Sequence, residues 1–336
     1  MKFITTLFLA IPFALSFSCN NPIVVDRISL DYEVITDSIF TRMPGSMIRV
    51  DKYVTWHDPF TSNGFLHIVD TEQKNEVAVL GTIGQGPLEF TTPVLAPTFE
   101  NRIVVYDVNS SKLADLTLGS DLPFQLNFSS KTGERNVSRM IEIASDQWVS
   151  LISNKETPLQ FTTDKGSSSF GKAPLEVPST VENRFDFFQG HLVYNSHKRL
   201  LIYSPMDYKY FASYKLNSDN TFELKDEKRF SVEYSIVDNR IKLSKENPRG
   251  GLDMVATKEY VVQIERDTEN DPTEVTGMDF TKLPQTLFLY DYEGNLRKIA
   301  HIGIPMLRLA DSCDDNTVYA IGINPDFCLI RIELGE

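Results

Sequence analysis

Val77-Ala-Val-Leu-Gly81-Thr-Ile-Gly84-Gln-Gly86-Pro87-Leu-Glu89-Phe90 ends an apolar strand, turns through three glycines and a proline, and starts a new segment. Glycine reaches positive φ without a Cβ clash, and proline presets φ for a turn. The stretch therefore reads as a crossing from one sheet to the next. Its order, G-x-x-G-x-G, is the reverse of the dinucleotide fingerprint, and no helical pattern follows it. No Gly-Lys-Ser/Thr is present to make a phosphate loop.

Working outward from this crossing, short runs rich in Val, Ile, Tyr, Phe and Thr alternate with Asp, Asn, Ser and Gly clusters. One unit recurs: an apolar strand ending in an acidic or amide residue, then a polar turn, then a weaker strand. It occurs six times, at residues 65–70, 102–107, 159–164, 210–217, 286–291 and 327–333. These are expected as the third strand of each of six blades. Two strands precede most of them, at 47–50 and 53–57, 139–143 and 147–152, 187–193 and 199–203, 251–256 and 259–265, and 306–310 and 317–322. Fourth strands are expected at 76–80, 112–118, 221–230 and 295–302. The last repeat has no fourth strand, and residues 27–39 form a spare one. The spare strand is expected to complete the sixth blade, because ring closure removes exposed sheet edges. The fold class predicted is all-β: a six-bladed propeller of four antiparallel strands per blade.

The pattern G-x-x-G-x-G-P-x-E-F, here Gly81, Gly84, Gly86, Pro87, Glu89 and Phe90, resembles the first inter-blade segment of TolB-like six-bladed β-propeller lipoproteins of anaerobic Gram-negative bacteria. The resemblance implies a fold and a location, and it transfers no catalytic residue.

The N-terminus agrees with that location. Lys2, an apolar run over residues 3–17 and the small Ser18 read as a signal peptide spanning residues 1–18. The run is too short for a stable membrane-spanning helix. Cys19 stands where a lipoprotein signal places its acylated cysteine, although Leu15 lies one place too far upstream for an ideal lipobox. Ordinary cleavage with an incidental thiol is the plain alternative. Residues 19–26 suit a lipid-anchored tether, and residues 27–336 a single propeller domain. The anchor is the only membrane contact expected, on an outer membrane facing the periplasm or exterior.

Loss of Lys2 with the leader takes the formal net charge from −13 to −14, which argues against nucleic acid or anionic lipid as partners. Cys313 and Cys328 fall at opposite ends of a strand meander and are expected as free thiols in a monomer.

Successive turns of a meander alternate between its two ends, so second-to-third turns share one face with the blade crossings. Ligand-binding candidates on that face are His57, Asp58, Arg184, Asp207, Tyr208, Arg249 and Asp326. His57-Asp58 offers a base and its orienter, or an Asx-bonded turn. Arg184 and Arg249 offer a carboxylate clamp, or solvated loop charge. Trp56, Phe185 and Tyr208 offer stacking platforms, or packing, and His67 reads as structural. The acidic insertion at 266–277 offers calcium ligands without EF-hand spacing, or a solvated loop. Asp37-Ser38-Ile39 fits a short O-glycosylation pattern, or a strand-ending turn. No zinc spacing and no Gly-x-Ser-x-Gly elbow occurs. The function expected is a non-catalytic binding or scaffolding module for a protein, peptide or glycan, with no cofactor. The alternative is a calcium-dependent hydrolase or lyase with a metal at the channel mouth.

Overall fold

The computed structural model describes residues 25–61, 63–99, 102–118, 124–129, 137–152, 157–178, 180–273 and 279–335. The signal peptide, Cys19 and most of the tether lie outside the described residues.

The first strands are β1 (Asp26–Ser29) and β2 (Tyr32–Thr36). Blade one follows as β3 (Met47–Val50), β4 (Tyr53–His57), β5 (Asn63–Asp70) and β6 (Asn75–Thr82). Blade two is β7 (Pro93–Ala96), β8 (Arg102–Asp107), β9 (Leu113–Thr117) and β10 (Asn127–Phe128). Blade three is β11 (Arg139–Ala144), β12 (Gln147–Leu151), β13 (Leu159–Thr163) and β14 (Gly166–Phe170). One helical turn, α1 (Arg184–Phe188), precedes blade four: β15 (Gly190–Asn195), β16 (Leu200–Pro205), β17 (Tyr210–Leu216) and β18 (Phe222–Arg229). A separate hairpin, β19 (Tyr234–Val237) and β20 (Arg240–Leu243), leads to blade five: β21 (Met254–Ala256), β22 (Val261–Ile264), β23 (Thr286–Tyr290) and β24 (Leu296–His301). Blade six is β25 (Met306–Asp311), β26 (Thr317–Ile323) and β27 (Phe327–Glu333), with β2 as its fourth strand.

The chain thus forms six four-stranded antiparallel blades closed by its N-terminal segment. That segment makes two strands rather than one. β2 runs antiparallel to β27, with Val34 opposite Ile330. β1 adds in parallel to the outer edge of blade five, so Ile28 lies opposite Ala300 rather than near Ile330. Ile28, Leu30 and Tyr32 all pack into the core between blades five and six, which holds the chain across both edges.

Six apolar clusters fill the fold, one for each pair of neighbouring blades. The cluster of Met47, Val54 and Trp56 with Tyr319, Ile321 and Leu329 joins blade one to blade six. A blade covered on both faces buries its middle strands without alternation, as in Thr286–Tyr290. The outermost strands meet solvent, and Phe222–Arg229 carries Lys and Glu side chains accordingly.

The recurrent acidic strand end has a local cause. Asp70 Oδ1 accepts from the amides of Glu72 and Gln73, and Asp291 Oδ1 from those of Glu293 and Asn295. Each is an Asx turn that ends a strand and aims the next.

Three expected boundaries shift. Residues 102–107 and 112–118 prove to be the second and third strands of blade two, not its third and fourth. The fourth strand there is only Asn127–Phe128, too short to leave a pattern. Phe187 and Phe188, expected to open a strand at 187–193, instead end α1, where they bury together in one turn. The long connection after blade four contains the hairpin β19–β20.

Candidate functional site

The six inner strands β3, β7, β11, β15, β21 and β25 surround a cavity of about 260 Å³. Met47, Leu95, Met140, Leu192, Met254 and Leu309 line its waist. At one end stand Ser46, Arg139, His191 and Asp253. At the other, Asp51, Ser196 and Asp314 are exposed on first-to-second-strand turns beside Phe99, Glu142, Asp311 and Cys313.

The first end is built by a sequence equivalence. Ser46-Met47, Arg139-Met140, His191-Leu192, Asp253-Met254 and Arg308-Leu309 each place a polar residue before a Met or Leu at the start of an inner strand. Blade two has Val94-Leu95 there. Four of the five polar side chains latch onto the following blade. Ser46 Oγ accepts from the Leu95 amide at 3.1 Å, and Asp253 Oδ2 from the Leu309 amide at 2.9 Å. His191 Nε2 lies 2.9 Å from the Gly251 carbonyl oxygen, and Arg308 Nε donates to the Gly45 carbonyl at 2.6 Å. Arg139 is the exception: its guanidinium makes no hydrogen bond or ion pair with any described residue.

This end is electropositive. Burial pushes the His57 imidazole down to about 4; a bond to the Ser46 carbonyl offsets part of that, and the charges of Arg139 and Arg308 add to the depression. Burial likewise lowers His191, with Asp253 opposing and Arg139 reinforcing. Both imidazoles are therefore neutral near pH 7, leaving two guanidinium groups against the Asp253 carboxylate.

At the opposite end, the buried Glu142 takes the Arg102 guanidinium as an ion pair. Asp311 Oδ2 is enclosed without a hydrogen bond among the described residues. Burial raises this carboxyl well above the usual carboxylate range; Arg49 opposes the rise and Asp315 adds to it. Cys313 donates its thiol proton toward the carbonyls of Tyr194 and Ala256, at 3.4 and 3.2 Å. Burial holds this thiol far above its ordinary range, so it is not a thiolate.

None of the seven ligand-binding candidates named from the sequence lines this cavity, whereas Cys313 does. His57 is buried beneath Gly45, with its Nδ1 3.0 Å from Ser46 Oγ. Asp58 turns away from it, because its carboxylate accepts from Thr41 Oγ1 and the amides of Arg42 and Phe60. Arg184, Asp207, Tyr208 and Arg249 gather near blade four. Arg184 is buried in α1, donates to the Val177 carbonyl and lies 4.9 Å from the Phe188 ring centre. Tyr208 is fully buried and stacks on Phe187 at 5.1 Å. Asp207 and Arg249 are exposed; burial of the carboxyl raises Asp207, and Arg249 opposes the rise. Asp326 is exposed in its turn, beside the cis Asn324–Pro325 bond. Trp56 and His67 stack at 5.1 Å inside blade one.

The glycine crossing is a self-contained turn. Gly81 has φ +80, and a Cβ there would lie 2.3 Å from the Phe65 ring. Phe90 is fully buried between Phe65 and Phe128. Lys112 Nζ donates to the carbonyls of Gly86 and Glu89 and ties the turn to blade two.

In the acidic insertion, Asp267 accepts from Arg27 and Asn270, and Asp271 from the amides of Asp267 and Gln285; residues 274–278 lie outside the described residues. Among the described residues no three His, Cys, Asp or Glu are placed to hold a metal ion.

No family model and no curated protein matches this sequence. Solved structures match in fold. A luciferin-regenerating enzyme aligns with a TM-score of 0.51 at 11% identity, covering 90% of this chain and 95% of that one. The β-propeller domain of Cps50 (Swd1) from Myceliophteria thermophila aligns with a TM-score of 0.45 at 9% identity, covering 90% of this chain and 100% of that one. At such identities the likeness is one of fold alone.

Proposed function

We propose that this chain is a non-catalytic binding module of the bacterial cell envelope, taking part of a protein, peptide or glycan into the ring. One observation carries the reading: the inner strands of all six blades enclose a shaped cavity whose reactive groups are held inactive. Catalysis by a nucleophile or base calls for an activated group. Here burial keeps Cys313 as a thiol and weakens the basicity of His191, whose Nε2 is already occupied by the Gly251 carbonyl. A rigid concavity with a few fixed polar groups is instead what ligand binding requires. The 81–90 crossing supports kinship with the TolB-like propeller lipoproteins, and the leader with Cys19 supports a lipid anchor.

The test uses the mature protein on peptide and glycan arrays and in a pull-down from envelope extract. The expected result is a partner retained by the wild type and lost by Ser196→Trp, which fills the exposed rim of the cavity. Blank arrays together with an empty pull-down would sink the reading. A rise in Tm on adding calcium would instead favour the hydrolase alternative, which needs carboxylates converging on one point.

A further inference from the structure

Resting on that reading, we infer that Arg139 anchors a carboxylate whose slender apolar body lies along the methionine-lined waist of the channel. The ring of inner-strand polar residues supplies the argument. Ser46, His191, Asp253 and Arg308 each spend a side-chain polar group on stitching one blade to the next. Arg139 occupies the equivalent position in blade three and stitches nothing. A half-buried guanidinium carries five donors that want partners, and a carboxylate satisfies two of them in a planar fork.

Charge points the same way. Burial lowers the affinity of Arg308 for a proton; Asp253 opposes that effect and the nearby charge of Arg139 adds to it. Asp253 already accepts from the amides of Met254 and Leu309, so it is fixed as a structural acceptor. An arriving anion meets two cations and one committed carboxylate.

The body of the ligand follows from the wall. Met47, Met140 and Met254 line the cavity with Leu95, Leu192 and Leu309, and the Met254 sulfur accepts from Gln263 Nε2 at 3.2 Å. Unbranched methionines reshape around an apolar stem at little cost. A cavity of about 260 Å³ sits at the small end for ligand pockets, which limits the occupant to a small organic acid or one end of a longer chain.

The test labels the methionine methyls with ¹³C and titrates the mature protein with hexanoate, 1-hexanol, hexylamine and inorganic phosphate. Hexanoate is expected to shift Met47, Met140 and Met254 saturably, and at least tenfold more tightly than hexanol or hexylamine. Phosphate, lacking the stem, should leave the three methyls unmoved. Arg139→Leu should weaken hexanoate at least tenfold and leave hexanol unchanged, while Arg139→Lys retains part of the preference. The dispersed methionine spectrum reports in the same experiment that each variant is folded, and Arg139→Gln replaces Arg139→Leu if it is not. Equal binding of hexanoate and hexylamine, no methionine shift with hexanoate, or hexanoate binding indifferent to Arg139 would overturn the inference. A partner found on the arrays with an Arg139-independent channel would leave the binding-module reading standing alone. Blank arrays with Arg139-dependent hexanoate binding would remove the macromolecular partner instead.

Discussion

Glu89 folds its carboxylate back onto its own crossing, where Oε2 accepts from the Gly86 amide at 2.7 Å. The two glycines are what make room for it. A Cβ built on Gly84 would lie 2.1 Å from that oxygen, and one on Gly86 would lie 2.9 Å from the carboxyl carbon. The motif is thus a turn wrapped around an internal acceptor.

Gly84→Ala should therefore destabilise the propeller by about 1–3 kcal/mol, as overpacking in a closed turn does. The same substitution in a Glu89→Ala background should cost less, because the clash partner is gone. Guanidinium unfolding midpoints of the four proteins decide it. Equal costs in both backgrounds would show that the carboxylate does not fill the space.

His57 makes stability depend on pH. Its imidazole ordinarily titrates at 6.5 and is held down to about 4, chiefly by burial. Between these values the unfolded chain binds a proton that the folded chain refuses. The stabilisation present above pH 6.5 is therefore lost as pH falls toward 4, by about 3 kcal/mol for this group. Buried His191, also lowered, contributes with the same sign. Urea unfolding at several pH values in this window should show a shallower fall for His57→Gln than for the wild type.

Ring closure can be locked covalently. Glu33 and Arg331 face each other across the β2–β27 ladder and form an ion pair at 3.5 Å. A Glu33→Cys, Arg331→Cys double variant should oxidise to a disulfide spanning almost the whole chain. In the chain-entropy limit such a loop is worth about 6 kcal/mol, less any strain. The denaturant midpoint should rise when oxidised and return with dithiothreitol; no difference between the two states would contradict closure at this ladder.

The channel thiol should be inert. In the folded mature protein Cys313 should react with Ellman's reagent far more slowly than a free thiol, because burial suppresses its thiolate. The buried Cys328 should behave alike, and both should react at once in denaturant. Rapid labelling of Cys313 in the native state would undo the case against a nucleophile.

Much of the fold is legible where its cause is local. Asp70 and Asp291 mark strand ends because a side chain bonding its own next turn needs no distant partner. β1 is different: its parallel pairing with β24 depends on residues about 270 positions away, and nothing in Arg27-Ile28-Ser29 announces it. In blade two the fourth strand, Asn127–Phe128, is too short to show alternation, so the two strands before it read as third and fourth. The channel residues were in plain view as Arg139-Met140, His191-Leu192 and Asp253-Met254. Their meaning appears only once the first strands of separate blades are superposed. Arg184 and Tyr208, chosen for their chemistry, are instead absorbed by packing around α1.

The pairing of β2 with β27 also sets a timetable. β2 leaves the ribosome early, and its partner is the latest-made strand of the ring. Until then Ile35 and the apolar flank of blade one are nascent surfaces awaiting cover. A chain halted just before residue 327 holds five finished blades and a sixth with an open seam, which is where premature association between copies would begin.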